Sequence, residues 1–315
     1  MRALRIVFMG TPDFAVETLK QIIANNHEVV GVITAPDRPA GRGRKLKASA
    51  VKEYAQSKHL KVLQPTNLKD ETFLEELKAL NANLNIVVAF RMLPKLVWDM
   101  PEYGTFNLHA SLLPDYRGAA PINWAIINGE KKTGITTFFI DEKIDTGQII
   151  LQEEVAIEEN DTAGTLHDKL MVQGALLVEE TIQAIKNDNI RLISQPKEER
   201  FKTAYKLNRE NTKIDWHQDL STIHNLIRGL SPYPSAWSEL HNNGKTENVK
   251  IYGVSSVVEP NNFDIGKIIV EDSKIKVAVR DGYILIDKLQ LPGKKAMDAK
   301  ALLNGYNFFR DARML

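Results

Sequence analysis

The 315-residue sequence has no cysteine. Disulfides, thiolate-bound metals and cysteine nucleophiles are therefore excluded, and a reducing cytoplasm fits. There is no excess of charge either: 41 Lys and Arg stand against 40 Asp and Glu, a formal net charge of +1. Any contact with nucleic acid must then come from a local basic patch rather than from a global field. The opening MRALRIVFMGTPDF carries an apolar run of about five residues, shorter than the h-region of a signal peptide and far short of a membrane span. It reads as a first strand, with no membrane partner. After it comes Gly10-Thr11-Pro12-Asp13, one glycine where a dinucleotide fingerprint has three. Gly10 serves either a tight turn or a helix N-terminus that faces a ligand. A metal is not expected: Asp141, Glu142 and Asp145 lie close together, but Lys143 sits among them and no histidine stands at ligand spacing.

What is present suffices for two domains with cores of their own, since a domain takes roughly 100 to 200 residues, and the 43% apolar content is ordinary for a globular protein. Strand patterns over 4–9, 29–34, 61–63 and 84–89 alternate with helical ones over 14–24, 50–58 and 71–80. That alternation predicts an α/β sheet covered on both faces. Phe90 and Arg91 follow the strand over 84–89 at its carboxyl end, where open α/β sheets bind ligands. Residues 34–52 hold six cations, Arg38, Arg42, Arg44, Lys45, Lys47 and Lys52, against Asp37 alone. Their prolines and glycines predict a loop without regular structure, either simply solvated or built to meet phosphates.

Further strands over 134–140 and 148–157 precede a helix capped at 161–163, whose apolar positions Leu166, Leu170, Val178, Ile182 and Ile185 face a core. The chain then turns polar. Beyond it, a helix over 221–230 and short strands over 236–240, 249–254, 266–270, 275–278 and 283–291 predict a small five-stranded β-barrel of the OB type. Lys294 and Lys295 precede a helix expected to be capped by Asp298, and form either an RNA-facing pair or a solvated turn.

The densest chemistry lies in GTFNLHASLLPDYRGAAPI, residues 104–122. Phe106, Leu108 and Ala110 alternate with Asn107 and His109, so one strand aims an amide and an imidazole from the same face. A carboxylate, Asp145, follows in IDEKIDTGQI. An Asn-x-His pair on a strand is either structural or, with a carboxylate, a set suited to acyl transfer: donors for an oxyanion and a base for an attacking amine.

Asn107-x-His109, Ser111-Leu112-Leu113-Pro114 and Asp145-Thr146-Gly147, in that order, resemble the signature of the folate-dependent formyltransferases. SLLPDYRGAAPIN, PDRPAGRG, IDW, SPYP and GKKAM extend the resemblance over nearly the whole chain and toward the members that act on tRNA. The resemblance implies a Rossmann-like formyltransferase domain over 1–188, a linker over 189–209 and an OB-like, tRNA-binding domain over 210–315. It implies 10-formyltetrahydrofolate as formyl donor, methionyl-initiator-tRNA as acceptor, and a cytoplasmic enzyme serving translation initiation; with no dimer surface visible in the sequence, a monomer is the expectation. Carried over residue by residue, Asn107, His109 and Asp145 are catalytic. Ser111, Leu112, Leu113, Pro114, Phe90 and Arg91 meet the folate, although many relatives have an aromatic–Gly pair where Phe90-Arg91 stands. Arg38, Arg42, Arg44 and Lys45, with Arg42 as the key arginine, and Lys294 and Lys295 meet the tRNA. A formyltransferase acting on glycinamide ribonucleotide or a nucleotide sugar is the alternative within the family, and the basic loop and carboxyl-terminal region argue against it.

Overall fold

Four successive apolar residues, Ile6, Val7, Phe8 and Met9, are fully buried, as a strand covered on both faces requires. They form β1 (Arg5–Gly10), which leads through α1 (Asp13–Ala24) to β2 (Glu28–Ile33). The computed structural model describes residues 1–40, 45–196 and 200–315. They fall into two compact units. The first comprises Met1–Gly118, Thr133–Val155 and His167–Thr203; the second comprises Ala119–Lys132, Ala156–Leu166 and Ala204–Leu315.

In the first unit a hairpin of β3 (Arg38–Ala40) and β4 (Lys45–Lys47) follows β2. This corrects the expectation of a loop without regular structure. Pro39 pairs with Leu46 in a two-stranded ribbon, where an edge position needs no N–H from proline. Next come α2 (Ala50–Ser57), β5 (Val62–Leu63), α3 (Glu71–Ala79), β6 (Leu84–Val88), α4 (Lys95–Trp98) and β7 (Thr105–His109). Ser49 and Asp70 accept from the backbone N–H of Lys52 and Phe73 and so cap α2 and α3. β8 (Arg117–Gly118), α5 (Pro121–Ile127, a part of the second unit), β9 (Lys132–Phe139), β10 (Ile149–Ala156), α6 (Ala163–Lys186) and β11 (Thr203–Ala204) follow in the sequence, and β11 pairs with β8.

The strand order is β10-β9-β7-β6-β1-β2-β5. β2 and β6 flank β1 in parallel, β7 runs parallel to β6, and β9 runs antiparallel to β7. Order reverses between β1 and β6, so the loops after β1, β6 and β7 leave the same edge beside a crevice. At Gly10 a Cβ would lie 2.6 Å from the Cβ of Ala15 and 3.0 Å from the carbonyl oxygen of Val88. Helix–strand packing is thus what demands glycine there. α6 backs the face of β7 and β9 opposite Asn107: Leu108 packs against Gly174, and the hydroxyls of Thr137 and Thr181 are 2.8 Å apart. Leu166, Leu170, Val178, Ile182 and Ile185 of α6 are fully buried.

The second unit contains α7 (Leu220–Leu230), β12 (Ala236–Asn242), β13 (Lys245–Val258), β14 (Ile268–Glu271), β15 (Lys274–Val279), β16 (Gly282–Gln290), β17 (Met297–Asp298), α8 (Ala299–Leu303) and β18 (Arg313–Met314). Its order is β14-β15-β16-β13-β12-β18. An antiparallel bridge between Lys267 and Arg313 brings the last strand back to the first, so the antiparallel barrel is nearly closed. β12 turns into β13 through Asn243-Gly244, both at positive φ, the backbone that a two-residue hairpin needs. Inside lie Trp216, Ile223, Ile227, Leu240, Ile251 and Ile286, and the indole N–H of Trp216 donates to the hydroxyl of Ser238 at 2.8 Å. Asp298 stands at the N-cap of α8, but its side chain makes no capping bond, contrary to the expected cap; its backbone pairs with Lys288 in the β16–β17 ladder.

Candidate active site

β7 sends Phe106 and Leu108 into the core and turns Asn107 and His109 to the other face. The cross-strand neighbours of these two are Phe138 and Thr136 of β9. The His109 ring meets Phe138 edge to face at 6.5 Å, and Leu113, Phe138 and Ile149 form a small core close by. Nε2 of His109 lies 2.8 Å from the carbonyl oxygen of Tyr116. A carbonyl only accepts, so Nε2 carries the hydrogen and Nδ1 is the atom left for chemistry. Nδ1 stands 3.9 Å from Oδ2 of Asp145. The amide of Asn107 is half-buried and makes no hydrogen bond among the described residues.

Asp145 sits at φ +55, in the left-handed region, and its Oδ2 accepts from the backbone N–H of Gly118 at 2.9 Å. Thr146 does not face this carboxylate; its hydroxyl donates to Asp141 at 2.7 Å. Gly147 is irreplaceable on steric grounds, because a Cβ would lie 1.6 Å from the carbonyl oxygen of Phe139. Among the described residues no group of three acidic or His side chains converges as metal ligands would.

Two further residues border this site that the sequence reading did not single out. The side-chain amide of Gln195 donates to the carbonyls of Asp145 and Gly147, at 3.0 and 2.8 Å. Its oxygen accepts from Nε and Nη2 of Arg117, at 3.1 and 2.5 Å. Partial burial lowers the pKa of the Arg117 guanidinium, and the charges of Asp145 and Asp141 pull it back up. Arg117 belongs to the SLLPDYRG string and was within reach of inspection, whereas Gln195 carries no local signal.

Of the residues expected to meet folate, Ser111 is buried and donates to the carbonyl of Asp115. Leu113 is buried against Phe138 and Ile149, while Leu112 and Pro114 are half-buried. Phe90 is half-buried, with the Arg91 guanidinium 5.5 Å from its ring centre. Arg91 donates to the carbonyls of Thr66 and Pro65. Partial burial and the charge of Arg38 set its pKa below the ordinary value. A cavity of about 610 Å³ opens beside it, lined by Thr66, Lys69, Met92, Leu93 and Leu96 among others. Of the residues expected to meet tRNA, Arg38 is exposed at the start of β3, and Lys294 and Lys295 are exposed in the turn before β17. Arg42 and Arg44, and the side chain of Lys45, lie outside the described residues.

Two family models match this sequence: formyl transferase over residues 4–189, and formyl transferase, C-terminal domain, over residues 206–307. The chain belongs to the formyl transferase family. It is 60% identical over 314 residues to a methionyl-tRNA formyltransferase of Flavobacterium johnsoniae, covering 100% of both chains. It is 51% identical to the methionyl-tRNA formyltransferase of Bacteroides thetaiotaomicron, over 96% of each. Among solved structures, a sugar 3N-formyl transferase crystallised with dTDP and 5-N-formyl-THF shares the fold, with a TM-score of 0.65 at 24% identity, covering 94% of this chain and 100% of that one. An N-formyltransferase of Helicobacter canadensis, in complex with folinic acid and dTDP-3-aminofucose, gives a TM-score of 0.64 at 23% identity, over 90% and 98%.

Proposed function

We propose that this chain transfers the formyl group of 10-formyltetrahydrofolate to the α-amine of methionyl-initiator-tRNA, giving N-formylmethionyl-tRNA for the start of translation. The 60% identity to the Flavobacterium johnsoniae relative carries this reading, because it runs through both the site and the barrel. The residues at the crevice fit such a donor. Phe90 offers an aromatic face at the carboxyl end of β6, and the Asn107 amide is uncommitted.

Folate, when bound, supplies an activated formyl group. The amine attacks its carbon, charge gathers on the formyl oxygen, and the bond to the folate nitrogen breaks. Asn107 donates its amide N–H to that oxygen. With Nε2–H donated to the Tyr116 carbonyl, His109 presents Nδ1 beside Asn107 and shares in handling the charge on that oxygen. Asp145 takes the proton that the amine loses and returns it to the leaving nitrogen; an α-amine titrates near 8, so a modest base suffices. Phe90, Arg91, Leu112 and Pro114 contact the folate, and the buried Ser111 and Leu113 shape the turn beside it.

Arg38, Arg42, Arg44 and Lys45 meet the acceptor end of the tRNA, and Lys294 and Lys295 face the RNA. Residues 1–188 act as the catalytic part, 189–209 as the connection and 210–315 as the tRNA-binding part. The acceptor assigns the reaction to the cytoplasm. The chain acts as a monomer, which light scattering at a single chain mass checks. Asn107→Ala should lower kcat for formyl transfer by about 2.7–4 kcal/mol in barrier, and turnover equal to that of the native chain would overturn the oxyanion role.

A further inference from the structure

A glutamine side chain offers two N–H donors and two acceptor lone pairs, and Gln195 uses all four at the candidate active site. Its amide N–H groups bond the carbonyls of Asp145 and Gly147, and its oxygen takes two bonds from Arg117. The residue comes from the far side of the sequence, about 50 positions away, and is brought in by the reciprocal backbone bonds of Ile193 with Ile149 at the start of β10. The loop it grips needs holding. Asp145 is a non-glycine residue in the left-handed region, a conformation that persists only when its surroundings over-determine it.

The bonds close a circuit. His109 donates to Tyr116, Tyr116 is followed by Arg117, Arg117 grips Gln195, Gln195 grips the backbone of Asp145, and the Asp145 carboxylate accepts from Gly118. We propose that Gln195 is a positioning residue for the reaction, fixing the Asp145 loop in register with His109, and that Arg117 orients Gln195. This inference rests on the function proposed above. The donors are what matter. A glutamate at 195 would still pair with Arg117 but would turn an oxygen toward two carbonyls, so it should fail where a mere tether to Arg117 would survive.

The test compares Gln195→Leu, Gln195→Glu and Arg117→Ala in the full-length chain, each also combined with Asp145→Asn. Misplacing a catalytic group by about 1 Å costs on the order of 100-fold. Gln195→Leu and Gln195→Glu should therefore each lower kcat by about that factor, with both KM values nearly unchanged, and Arg117→Ala should act in the same direction. In the Asp145→Asn background neither change at 195 should cost anything more, because the group it positions is already disabled. Amide hydrogen exchange across 141–148 should quicken in Gln195→Leu while the melting temperature holds. Native kcat in Gln195→Glu, a full further loss in the Asp145→Asn background, or unchanged exchange across 141–148 would each overturn the proposal. Should the native chain transfer no formyl group, the functional reading falls, and the exchange measurement still decides whether Gln195 holds the loop.

Discussion

Nδ1 of His109 and Oδ2 of Asp145 are 3.9 Å apart, beyond hydrogen-bond range. The pair is preset without being joined. Each partner is instead held by backbone, His109 by the carbonyl of Tyr116 and Asp145 by the N–H of Gly118, so the gap stays open to a reacting group.

Asp145→Asn keeps an oxygen for the Gly118 N–H and removes the base. The expected result is a fall in kcat of about 100- to 10,000-fold, with little change in folding or in either KM. Steady-state kinetics beside a thermal melt check this; a KM effect with native kcat would assign Asp145 to binding instead.

Gly147→Ala should be damaging although it adds one methyl group. That carbon would meet the carbonyl of Phe139 at 1.6 Å, so the loop must leave its place. Overpacking of this kind costs about 1–3 kcal/mol. A lowered melting temperature together with lost transfer is expected, and a variant with native activity and stability would contradict the loop geometry.

The sequence made β7 and its two faces legible because strand alternation is local: Phe106 and Leu108 point inward, and Asn107 and His109 therefore point out. α6 was legible for the same reason, since its apolar residues keep a helical period and all five named positions are buried. Gln195 was not. It sits in a polar stretch that reads as connection, and its partners are the carbonyls of Asp145 and Gly147, 50 and 48 residues away, which no local pattern records. The barrel's five longer strands were readable, but the count of five was not right: the two-residue strands β17 and β18 make seven, and near closure rests on the bridge between Lys267 and Arg313, which leaves no local pattern. At β3 the sequence misled, because Pro39 marks a break in a central strand and none in an edge ribbon.

Acid should weaken the barrel through His224. Its burial and the charge of Arg228 hold the imidazole pKa below the ordinary value, against the opposing pull of Glu159 and Asp287. The unfolded chain therefore takes up this proton first, below about pH 6.5. The contribution of His224 is fully present above that pH and is lost as pH falls toward the lowered folded value. His224→Gln should flatten the loss of stability as pH falls below about 6.5, measured by urea unfolding. An unchanged pH profile would remove His224 as its source.

The basic segment over residues 34–52 should act through charge. Arg42→Ala should raise KM for tRNA, leave KM for folate alone, and reduce the slope of log kcat/KM against log salt by about 0.7–0.9, the value of one phosphate contact. A slope equal to that of the native chain would take Arg42 off the RNA.

The most direct measurement is formyl transfer from 10-formyltetrahydrofolate to charged initiator tRNA, run beside charged elongator methionine tRNA and with His109→Ala in parallel. Transfer to the initiator, little to the elongator, and near-complete loss in His109→Ala are expected. Absence of transfer to either tRNA by the native chain, or undiminished transfer by His109→Ala, would contradict it.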